Sequence, residues 1–496
     1  MSFTRWNRRR TALAVAGIAV TAMAVPGLTA ASAAKVSGPV LKLAAAQRSI
    51  TADSSHGRAF FDPGVWLEAF GSPLVFDVRR AAYTKPVTLT QVIHLPYGGV
   101  VRRPLSPSLL DQWFGLTHFT MLTMRNSAGK VVLHQSATLC PSGYNPARVS
   151  PGSPLTTPYP VGCGSNPFTL AQVWGLQKGW GAEAGSFVGG KLPLGVYHLT
   201  ATISPRYTRL FHIAARDATA TVKVTVVKGK RCCPVPGCCG AAGAHHAHLA
   251  GPARNPASVR TLANPPQSAL PDLVALPAWS IGTPHPRKPT QPDLLTFGAT
   301  VWIGGHGPLD VEGFRSHGSP VMKAYQYFWR NGHVIGRARA GTMGFDSKHG
   351  HDHWHFEQFA RYTLLNSHKS LAVSSHKVGF CIAPVDGIDL MLRHAAWNPS
   401  YTGLGGQCGL PSALWVTEEL PLGWGDTYTQ FVAGQAFNIT NVPNGTYYIQ
   451  VTANPEKVLY ETTTSNDISY RKIILGGTRG HRTVKVPAYH GIDPEP

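Results

Sequence analysis

Acidic side chains are scarce in this chain: 24 Asp and Glu stand against 45 Lys and Arg in 496 residues, a formal charge of +21. The surplus of cations suits contact with anionic cell-wall polymers, and it means that a cationic amine would need a locally acidic pocket to be accepted. The cations are scattered, and no basic helix or recognition motif gathers them, which argues against nucleic acid as a partner. After residue 33 there is no run long and apolar enough to span a bilayer. Sustained helical periodicity is missing too, so the chain does not read as a bundle of amphipathic helices. Cysteines number only eight, and all lie after residue 33.

What is present begins with an export signal over residues 1–33. Arg5, Arg8, Arg9 and Arg10 form a charged start, residues 11–25 are apolar, and Ala31-Ser32-Ala33 is an A-x-A cleavage site. The pattern fits Sec export, and the arginine run also fits the twin-arginine route. Cleavage would remove four arginines and no acid, lowering +21 to +17. A soluble, secreted protein is expected, and an even cysteine count in an exported chain favours disulfides.

Residues 35–228 and 268–476 share one texture. Short alternating runs such as KPVTLTQVIHL and ATATVKVTVV in the first, and AYQYFW and TYYIQVTA in the second, are separated by Gly, Pro and Ser turns. An all-β fold of two β-sandwich-like domains with long loops is expected. Residues 229–267 have linker composition, and residues 477–496 read as a flexible tail. The linker also holds Cys232, Cys233, Cys238 and Cys239 beside His245, His246 and His248. These read as two disulfides in a tether, with copper(I) capture as the competing reading.

The two β-rich segments match each other at ordered anchors. Phe119, Thr123, Asn126 and Ser127 match Phe359, Thr363, Asn366 and Ser367 at an offset of 240. Cys140 and Cys163 match Cys381 and Cys408 at 241 and 245. The Gly-Trp-Gly at 179–181 matches that at 423–425, and Gly195, Tyr197 and Pro205 match Gly445, Tyr447 and Pro455. The drift in offset is what small loop insertions produce, so a tandem duplication is expected.

One stretch, KHGHDHWHFEQFARYTLL at 348–365, carries chemistry on its face. His351, His353 and His355 are spaced by two, so on a strand all three imidazoles point the same way. Three neutral imidazoles on one face suit zinc or copper, and the spacing alone does not choose between them.

HDHWH followed by FEQFARYTLL resembles the copper-binding motif of the lysyl oxidase family. The likeness continues in the family's order through SHKVGFC (375–381), GDTY (425–428), NITNVPNGTYYIQVTANP (438–455) and YETTTSND (460–467). It runs to about residue 475 and starts as early as residue 271. The resemblance implies that His351, His353 and His355 bind copper. It also implies that Lys377 and Tyr428 join to form lysine tyrosylquinone, a cofactor made from the chain's own side chains. The expected activity is oxidation of primary amines, peptidyl lysine among them, to aldehydes, with molecular oxygen as oxidant and ammonia and hydrogen peroxide released. Asp352, Glu357 and Asp426 are the candidate general bases, none distinguishable by sequence. The alternative is a non-catalytic metal-binding wall or matrix protein that kept the fold; a zinc hydrolase is a third option.

The catalytic segment carries only Cys381 and Cys408, fewer cysteines than the family's animal members. Pairing of Cys381 with Cys408, and of Cys140 with Cys163 in the first copy, is expected from the matched offsets. In the first copy, the registers put Asp111, Trp113 and Gly115 where the second has its histidines, Ser136 at the place of Lys377 and Ala184 at that of Tyr428. Chemistry is therefore expected in the second half alone.

Overall fold

Alternation of apolar and polar residues organises the chain into strands whose buried faces meet in layers. The strand Gly445–Ala453 buries Tyr447, Ile449, Val451 and Ala453, every second residue. The computed structural model describes residues 38–229, 259–347, 353–375, 377, 379–399, 408–432 and 434–493. The fold is all-β, as expected; the described residues form six sheets, three within 38–229 and three within 259–493.

The sheets of the two halves run in corresponding orders. In the first half Val131–Leu139, Gly115–Asn126, Gly195–Ile203 and Thr219–Lys228 lie side by side; in the second, Leu371–Ser374, Ala360–Asn366, Gly445–Ala453 and Ile468–Thr478 do so. Register corresponds too. Asn126 lies opposite Tyr197, and Asn366 opposite Tyr447. The order Ala171–Leu176, Leu74–Arg79, Thr88–His94, Val100–Leu105 is mirrored by Trp415–Leu420, Leu309–Phe314, Val321–Arg330, His333–Asp346. Gly179 and Gly423 each take positive φ, 73° and 84°, and each N–H crosses to the neighbouring strand, at Ala69 and Ile303 respectively. The Tyr197 and Tyr447 hydroxyls each donate to a proline carbonyl four residues back.

Val75, Val92, Tyr159 and Val173 of the first half pack into the apolar core of the second. At the same seam Phe168 joins Leu276, Trp302 and Ile388. Backbone bonds cross it as well: Leu170 and Ala171 donate to the Ile388 carbonyl at 2.7 and 3.0 Å, and Leu390 donates to Ala171 at 3.0 Å.

Residues 230–258, with the Cys232–Cys239 and His245–His248 clusters, lie outside the described residues, as do residues 1–37. The expected tail is not wholly loose. His481–Lys485 pairs with Ile468–Thr478 because Arg482 and Val484 turn inward, and the Arg482 guanidinium reaches the Val442 carbonyl at 2.9 Å. Charge in HRTVK had hidden that alternation.

Among the described residues two disulfides are present, Cys140–Cys163 and Cys381–Cys408, each with 5.6 Å between Cα atoms. The second spans 27 residues. A Cys381→Ser/Cys408→Ser double variant should lose about 3 kcal/mol of stability, since a loop of this size regains chain entropy when opened. Thermal unfolding with and without reductant checks this: an unchanged melting temperature would show that the bridge adds nothing.

Candidate active site

The histidine strand His353–Phe356 sits at the edge of a sheet, paired with His333–Asp346 so that His355 faces Gly344 and His353 faces Asp346. Trp354 is buried on the opposite face, with its indole N–H on the Leu410 carbonyl at 3.0 Å. The His353 and His355 rings share the other face, centroids 4.6 Å apart. His351 and Asp352 lie outside the described residues. Among the described residues no three potential ligands cluster.

A close approach ties this strand to the next segment. Phe356 and Phe380 exchange backbone hydrogen bonds, 2.8 and 3.1 Å. A Cβ on Gly379 would come within 2.7 Å of the His355 Cβ and 3.1 Å of its Nδ1, so only glycine fits there. Beyond it, the Cys381 N–H donates to the Tyr428 hydroxyl at 2.9 Å, and that hydroxyl donates to the Cys381 carbonyl at 3.0 Å. The bridged segment 379–381 thus touches a histidine at one end and the tyrosine at the other.

Tyr428 ends the strand Trp424–Tyr428 and pairs with Ala299. Its ring meets Phe380 edge-on at 5.3 Å. Lys377 is buried, and its Nζ lies 4.0 Å from the centre of the Tyr428 ring and 4.9 Å from that of Phe380. Gly434, at φ +87°, covers the lysine stem; a Cβ there would be 3.3 Å from the Lys377 Cβ.

Burial pulls the Lys377 ammonium down from 10.5 to about 8, against the opposing pull of Asp426 and Asp346. Burial holds Asp426 well above the carboxylate range, with Lys377 the largest opposing influence. One oxygen of that carboxylate has no hydrogen-bond partner. The Tyr428 phenol is raised first by burial and then by Asp426. Glu418 is also raised by burial, while its carboxylate accepts the Ile382 N–H at 3.0 Å.

The structure thus brings together Lys377, Tyr428 and Asp426, and places His353 and His355 on the segment beside them. Glu357 points elsewhere, toward solvent, accepting from the Thr342 hydroxyl at 2.8 Å. Sequence reasoning missed Tyr362, Glu418 and Asp346. Tyr362 and Glu418 lie in the strands Ala360–Asn366 and Trp415–Leu420, and no local motif marks them.

The family model for lysyl oxidase matches residues 323–483. This part of the chain belongs to the lysyl oxidase family. Lysyl oxidase homolog 4 of Bos taurus is 29% identical over 153 residues, covering 30% of this chain and 18% of that protein. Lysyl oxidase homolog 2 of Gallus gallus is 27% identical over 140 residues, 28% of this chain and 16% of that protein. The chain thus spans less than a fifth of the length of these curated relatives. The lysyl oxidase match begins at residue 323, yet the strand Leu294–Gly305, which pairs directly with Tyr428, lies before it.

Proposed function

We propose that this protein is a secreted, copper-dependent amine oxidase of the lysyl oxidase type, whose quinone cofactor forms from Lys377 and Tyr428. The observation that carries the reading is the placement of the Lys377 amine 4.0 Å from the centre of the Tyr428 ring. Two imidazoles share one strand face, and the glycine beside His355 clears room for that ring. This donor set fits copper, with His351 as the third ligand beside His353 and His355. Copper and quinone would supply the redox chemistry that turns a primary amine into an aldehyde, with oxygen as the oxidant.

The chain's own residues prepare that chemistry. Burial weakens the hold of Lys377 Nζ on its proton, while Asp426, facing it, opposes that loss to the extent that it is ionised. The two Cys381 hydrogen bonds fix the Tyr428 ring in plane, and Phe380 packs against it. Asp346, paired in register with His353, supplies a carboxylate beside the site that would attract a cationic amine despite the chain's net positive charge. That surplus of charge supports attachment to anionic wall polymers. The disulfides support export.

We further read the first half as a degenerate copy. The matched sheet orders and registers support this. At the places corresponding to the site, Asp111 accepts from Thr138, Ser136 bonds His118, and Trp113 and Ala184 are buried.

Formation of the Lys377–Tyr428 link should follow the neutral amine. Because the amine is held at about 8 rather than 10.5, its reactive fraction rises with pH and levels off above about 8. At pH 8 it exceeds that of an ordinary lysine by about two orders of magnitude. Cross-linking rates in copper-loaded, aerated protein at pH 6 to 10 test this. A rate still climbing tenfold per pH unit at pH 9 would show that Lys377 is not perturbed.

A further inference from the structure

The segment 165–171 of the first half lies along 386–390 of the second, and one of its side chains reaches past backbone into the polar layer behind the site. Asn166 is wholly buried. Its amide N–H groups donate to the Thr300 hydroxyl at 2.9 Å and to Asp386 Oδ2 at 3.4 Å, while its oxygen accepts the Phe168 N–H at 3.0 Å. Ser165 donates to the other Asp386 oxygen at 3.4 Å. Thr300 in turn bonds the Thr427 hydroxyl at 2.8 Å, and Asp386 pairs in register with Gly425. Thr427 lies between Asp426 and Tyr428, so its side chain projects to the opposite face of the strand from theirs. The bridge Cys140–Cys163 ends two residues before Ser165 and anchors the whole segment.

We propose that Asn166 is a positioning residue for the second half's site: through Asp386 and the Thr300–Thr427 pair, the first half fixes the strand that carries Asp426 and Tyr428. This assigns a task to a half that lacks the reactive residues, and it rests on the oxidase reading for its link to catalysis. The geometry favours it over simple domain packing, because an apolar side chain would fill the seam equally well. A buried amide that makes three hydrogen bonds, both N–H groups donating and the oxygen accepting, is costly to replace. The contact also carries charge information. Asp386 is pushed up by burial and held down by hydrogen bonds from Thr427, Asn166 and Ser165, and its negative charge raises Asp426. Facing Asp426 are Lys377, Asp386, Tyr428, Tyr362 and Glu418. Loss of the Asn166 donor would leave Asp386 more often neutral, Asp426 more often ionised, and the Lys377 proton held more tightly.

Three variants of the full chain separate positioning from packing. Asn166→Ala removes the donor, Ser165→Ala removes a weaker one, and Thr169→Val removes a seam bond to the Gly387 carbonyl that does not touch the Asp386 carboxyl. In metal-free protein, the pH midpoint for acetylation of Lys377, read by mass spectrometry, should lie near 8 in the parent. It should move up by about half a pH unit or more in Asn166→Ala, less in Ser165→Ala, and not in Thr169→Val. In copper-loaded protein, cross-linking should slow about tenfold or more in Asn166→Ala and less than about twofold in Thr169→Val. Should Asn166→Ala fail to fold, the Ser165→Ala and Thr169→Val pair decides the matter. Equal behaviour of Thr169→Val and the two donor variants in the acetylation titration would overturn the proposal. Failure of the parent itself to cross-link would remove the oxidase reading, and the acetylation comparison would still decide what Asn166 does.

Discussion

Tyr428→Phe protein should bind copper and fold but show no amine-dependent peroxide production, a loss of about three orders of magnitude or more, because the quinone carries the chemistry and Phe has no ring oxygen to begin it. The ring itself would stay, packed edge-on against Phe380. What the substitution removes structurally is the pair of hydrogen bonds with Cys381. Leaving those backbone groups without a partner costs about 1–3 kcal/mol, a fall of several degrees in melting temperature for a domain of this size. Activity and stability therefore separate cleanly. Lys377→Met should give the same pattern, since it keeps the buried stem and removes only the amine. Activity retained in either variant, measured as peroxide released per mole of amine, would remove the two residues from the reaction.

His355→Ala should cut copper affinity about 100-fold or more, beyond the usual effect of altering a group that merely orients a ligand. His355 is buried, its ring stacks edge-on with His353, and Gly379 has been kept bare beside it. Its loss would leave too few imidazoles to hold the metal against competing chelators, and the Lys377–Tyr428 link would not form. His353→Ala should behave alike. His333, on the adjacent strand but exposed, serves as the control and should keep full copper on replacement by Ala. Metal content after dialysis against a weak chelator reads the result. Full occupancy in His355→Ala would refute the shared-face arrangement.

The histidine strand was legible because its rule is local. A period of two sends His353 and His355 one way and Trp354 the other, and the structure keeps that alternation. The pairing of Cys381 with Cys408 was legible through the matched anchors in the first half. Asp426 could be named only as one carboxylate among three. What distinguishes it is burial with Lys377, Tyr362 and Glu418, contributed by segments up to 64 residues away in the chain (426 − 362 = 64). Glu418 and Glu419 stand side by side in TEELPL, and both are buried in the strand Trp415–Leu420. Asn166 sits in GSNPF, which reads as a turn; nothing local says that the turn is pressed against another half of the molecule. Register within one strand is written in the sequence, whereas the meeting of distant strands is a property of packing.

The central claim is that Lys377 and Tyr428 become one covalent unit. Peptide mapping by mass spectrometry of exported protein, loaded with copper and aerated at pH 8, tests it most directly. The account predicts a single cross-linked species joining the peptide with Lys377 to the peptide with Tyr428, absent without copper and absent in His355→Ala. Recovery of both peptides unlinked, from protein that still oxidises amines, would contradict it.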